Sequence, residues 1–263
     1  MIRDPSNALD WFAVDRPTLS RVLGELSARG ADAADLYFQY SRDNSFTLED
    51  GIISRASTSV DQGVGLRCVI GDQTGFAFTE DLAEAAMRAA ARTAASIAHG
   101  GHRAPPQEFV RMPSAGDFYP EAPGARDVGV ADKLPILERA AAITHGLDPA
   151  ITKVTIHWGD SEELIVIADA EGQIHVDKRP MSRLWVLVTA QRNGEVQTNM
   201  ANVAARRGLE WYTDARLEAV AREAVERTLI LFDARRPPAG EMPVVLAAGA
   251  SGILLHEAIG HGM

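Results

Sequence analysis

Tyr37-Phe38-Gln39-Tyr40, Ser45-Phe46-Thr47-Leu48, Ile52 to Val60 and Val64 to Ile70 follow one another within thirty-odd positions, all rich in aromatic and β-branched residues. Glu49-Asp50-Gly51 and Gly71-Asp72-Gln73-Thr74-Gly75 punctuate them as turns. The stretch from Leu36 to Thr79 therefore predicts an antiparallel meander. A second strand-rich run covers Lys153 to Trp158, Glu163 to Ala168, Gln173 to Val176, Leu184 to Ala190 and Glu195 to Asn199, and Asn193-Gly194 inside it is a two-residue hairpin signal.

Helical patterns flank both runs. Leu19, Val22, Leu23 and Leu26 fall on one face of a helix over 17–29, with Gly30 after it. An alanine-rich helix is expected from Thr79, as N-cap, to Ala98. A third is expected over Ala131–His145, where Pro135 is tolerable only near the first turn. The fourth, Asp214–Phe232, carries an apolar stripe of Leu217, Val220, Ala221, Ala224 and Leu229. The expected fold class is α+β, an antiparallel sheet of two strand-rich runs packed with helices, plus the start of a second domain. Residues 100 to 127, with five prolines, are expected to be an irregular surface connection.

Arg235-Arg236-Pro237-Pro238-Ala239-Gly240 breaks the chain. The expected division is an N-terminal domain over 1–233 and the start of another over 241–263. In the latter a short strand, Pro243–Ala247, is expected to lead through the turn Gly249-Ala250-Ser251-Gly252 into a helix starting at Ile253, with Ser251 as its N-cap.

That helix carries the strongest chemical signal, Leu254-Leu255-His256-Glu257-Ala258-Ile259-Gly260-His261-Gly262. Neutral imidazole is a good zinc ligand, and a carboxylate beside it can hold and deprotonate a water. The spacing is i to i+5, about 140° on a regular helix, so two such side chains cannot reach one ion from a straight helix. Either a π-bulge or a helix end near Gly260 is needed, and the glycines at 260 and 262 ease both. The bland alternative is a helix C-terminus with two unrelated histidines. A serine nucleophile at Ser251 would need glycine two positions on, and Ile253 stands there.

Composition narrows the field. The 263 residues carry a formal net charge of -10, which disfavours direct nucleic-acid binding. The single cysteine, Cys68, excludes an intrachain disulfide and reads as a small buried hydrophobe. No signal core or membrane-length apolar run is evident, so a cytoplasmic protein is expected. His99 and His102 read as a solvated pair, and His145, His157 and His175 sit in unrelated contexts.

The 256–262 motif, preceded by Gly252-Ile253-Leu254-Leu255, resembles the signature of the TldD/PmbA family. Leu48-Glu49-Asp50-Gly51-Ile52, Gly63-Val64-Gly65-Leu66-Arg67 and Thr74-Gly75-Phe76-Ala77 are similar to its N-terminal domain. The resemblance implies a zinc metallopeptidase acting on small or unfolded peptides, with His256 and His261 as metal ligands and Glu257 as general base. It implies a homodimer, or a heterodimer with a TldE/PmbA-like subunit. The family has also been labelled a modulator of DNA gyrase. It further implies a third ligand, a cysteine, in a C-terminal domain beyond Met263. The expectation is thus part of a peptidase, inactive alone; the alternative is a non-catalytic assembly module with an unassembled metal motif.

Overall fold

The computed structural model describes residues 5–97, 108–112 and 128–262. His99 and His102 lie outside them, as does most of the proline-rich connection. Two compact units are present, 1–232 and 233–263.

The first unit is α+β. Strands β1 (Ala33–Glu49), β2 (Ile52–Ile70) and β3 (Gln73–Thr79) form the meander, and β5 (Ile151–Asp169), β6 (Gln173–Arg192) and β7 (Glu195–Ala205) form the second run. Between them lies the two-residue β4 (Val110–Arg111). They join one sheet in the order β3-β2-β1-β5-β6, and both β7 and β4 pair with β6. All pairings are antiparallel except that of β4 with β6. Two-residue turns set the registers. Asp50 and Gly51 have φ of 49° and 76°, and Asn193 and Gly194 of 50° and 85°, the left-handed pairs that a twisted hairpin requires.

The strands are longer than the sequence suggests. β1, β5 and β6 have 17, 19 and 20 residues, and each runs unbroken through a polar middle where the residue pattern predicts a gap. Their even-numbered side chains share one face, which holds two apolar clusters. In the first, Leu36, Phe38, Leu66, Val166 and Ala168 pack under α1 (Arg16–Leu26) and α2 (Glu84–Ile97). In the second, Phe46, Leu48, Ile156, Trp158 and Val186 pack under α3 (Val130–His145) and α4 (Asp214–Leu229). Leu19, Val22, Leu23 and Leu26 of α1 are all buried. Full burial of such side chains contributes roughly 1.5–3 kcal/mol each.

Between the clusters the same face carries a polar row. Asn44, Asp160 and Ser182 stand in register on β1, β5 and β6. Lys133 of α3 reaches down to donate to Asp160 Oδ2 at 2.7 Å, as does the Trp158 indole. Asn44 donates to Asp160 Oδ1 at 2.8 Å, and Thr58 donates to Asn44 at 2.9 Å. The Lys133 and Asp160 side chains are 3% and 2% exposed, so this ion pair is closed to water. The Tyr212 hydroxyl donates to Ser182 at 2.8 Å. Burial pushes the Tyr212 phenol up to about 12. Its folded pKa lies above the unfolded value, so its contribution is intact below pH 10 and is lost as pH rises toward 12. In a 295 nm titration the difference between the parent and a Tyr212→Phe variant is expected to develop late, together with unfolding. A difference that develops near pH 10 in folded protein would contradict this.

Several expectations change. The second helix begins at Glu84; Thr79 ends β3, and its hydroxyl accepts from Asp81 N instead of capping. Pro135 sits at the sixth position of α3, where it forgoes one backbone bond. The connection after α2 is not wholly peripheral, since Phe109 is buried and β4 adds to β6. Cys68 is buried as expected, and burial pushes its thiol up.

Candidate metal centre

In the second unit Pro243–Ala247 forms no strand and pairs with no strand among the described residues. Helix α5 spans Ser251–Ala258. Ala250, not Ser251, holds the N-cap position, and the Ser251 hydroxyl donates to Ala247 O. The helix buries none of its residues; Ile253, Leu254 and Leu255 are all exposed.

The helix stops before the second histidine. Ile259, at φ -124° and ψ -45°, leaves the α conformation, and Gly260–Gly262 continues as a 3-10 turn. This tightening brings together the i and i+5 side chains that a straight helix would hold apart. The His256 and His261 rings lie 4.5 Å apart at 71°. His261 Nε2 is 3.5 Å from a Glu257 carboxylate oxygen. One donor atom from each of the three lies within 4.8 Å of the others. Gly260 serves this closeness: a Cβ there would sit 3.3 Å from His256 Nδ1. Two neutral imidazoles suit zinc, and a carboxylate beside them can hold and deprotonate a water. Cys68 and the histidines at 145, 157 and 175 belong to the first unit, where His157 bonds Thr47 at 3.0 Å.

Two family models match the chain. That of the PmbA/TldA metallopeptidase domain 1 covers residues 34–98, and that of the central domain covers 123–232. The chain belongs to the PmbA/TldA metallopeptidase family. A metalloprotease TldD homolog from Haemophilus influenzae is 36% identical over 254 residues, covering 94% of this chain and 52% of the relative. A zinc metalloprotease TldD homolog from Saccharolobus solfataricus is 25% identical, covering 88% of this chain and 50% of its own. The chain thus spans about half the length of the curated relatives it matches. Among solved structures, a Thermotoga maritima protein named for modulation of DNA gyrase superposes with a TM-score of 0.65 at 16% identity, covering 85% of this chain and 50% of that one. This PmbA/TldA family member has no helix, among its described residues, long and apolar enough to cross a membrane.

Proposed function

We propose that the chain contributes the metal-binding motif of a zinc-dependent peptidase acting on small or unfolded peptides. The observation that carries this is the convergence of His256, Glu257 and His261 through the break at Ile259. His256 and His261 would hold the ion as neutral imidazoles, and Glu257 would take a proton from the attacking water. A bound zinc ion supplies Lewis-acid polarisation of a peptide carbonyl. The acidic chain offers direct nucleic-acid contact no support. The proposal extends to a dimer, with a second copy or a TldE-like subunit, in the cytoplasm.

Elemental analysis of tag-free protein tests the site. Near-stoichiometric zinc, lost in a His256→Ala, His261→Ala double variant, would mean that the site forms on this chain or across its dimer; zinc is expected of the complete enzyme, with its third ligand in place. Equal zinc in both proteins would place the ion elsewhere. No zinc in either would favour the non-catalytic assembly module.

A further inference from the structure

β3 covers one edge of β2 only from Val64 to Ile70. From Ile52 to Gly63 that edge has no partner among the described residues, although the other edge pairs with β1 throughout. Every residue from Arg55 to Gln62 is exposed. An open edge of this length is a template for another strand, and proteins usually blunt such edges with proline, lysine or bulges. Here Ala56-Ser57-Thr58-Ser59-Val60 carries no charge and no proline. The single bulge in its pairing with β1, beside Thr47/Leu48, marks one end.

The charges flank this small neutral stretch symmetrically. Arg55 and Asp61 each lie three residues from Thr58. Antiparallel pairing of two identical strands about Thr58 sets Arg55 opposite Asp61 twice, Ala56 opposite Val60 and Ser57 opposite Ser59. Parallel pairing would oppose like charges. Opposite charges across a strand pair are favourable and like charges are not. A two-fold axis makes such a contact self-complementary and closed.

We propose that a second copy of this chain adds to the open edge of β2 in antiparallel register, with the two-fold axis at Thr58. This rests on the dimer reading above and names its interface. β2 is then paired along both edges, by β3 over its last third and by its twin before it.

Sedimentation of the full chain tests the proposal. A dimer is expected, weakened about tenfold or more by Arg55→Glu, which sets like charges opposite each other. Arg55→Glu with Asp61→Arg is expected to restore it, an outcome that general damage to folding would not give. Mixed Ser57→Cys and Ser59→Cys chains are expected to cross-link to each other more than to themselves; Cys68 is buried and stays apart. A monomer at every concentration overturns both the dimer reading and this interface. A dimer indifferent to the charge changes, or one that the double swap does not restore, overturns the interface alone.

Discussion

Asp160→Ala is expected to lower folding stability by about 3–5 kcal/mol, read as a lower urea midpoint at unchanged slope. The carboxylate accepts from Lys133, Trp158 and Asn44 at 2.7, 2.7 and 2.8 Å. Removing it strands a buried ammonium and two buried N–H donors, and unmet burial is what makes the loss large. The double variant Lys133→Met, Asp160→Asn removes both charges while leaving an acceptor for the indole. It is expected to be more stable than Asp160→Ala. A cost below about 1 kcal/mol for Asp160→Ala would mean that water reaches the row and replaces the lost acceptor.

Gly75→Ala should be the second most damaging change. A Cβ there would meet Ala94 O of α2 at 2.0 Å and Cys68 Sγ at 3.0 Å. The obstacle is backbone, so the helix itself must retreat from the sheet. The expected cost lies at or above the upper end of about 1–3 kcal/mol for overpacking. Gly24→Ala is the contrast. It lies within α1 with nothing within 4 Å of the added carbon, and is expected to stabilise by roughly 0.5–1 kcal/mol. Thermal unfolding of both variants checks the opposite signs; a Gly75→Ala protein as stable as the parent would refute the close approach.

Much of this was legible in the sequence. Turn chemistry at Asp50-Gly51 and Asn193-Gly194 fixed two hairpins, and the apolar stripes announced α1 and α4. The motif's odd spacing required a break, and Ile259 provides it. The polar middles of the strands misled, because Asn44 and Asp160 look like loop residues until their partners are known. Those partners lie far off in sequence, and local pattern carries no trace of them. Lys133 gives no sign in the sequence that it will be buried. Pro243–Ala247 has strand composition, but composition cannot supply a neighbour.

The unbroken length of β1 bears on how this architecture could be divided. The strand begins the segment matched as domain 1, yet Phe46 and Leu48 at its far end pack with Leu137 and Val220 of the central domain. Cutting between the two matched segments would leave each piece with bare apolar side chains. The named domains are units of alignment and not separable modules, so recombination between relatives would have to exchange them together.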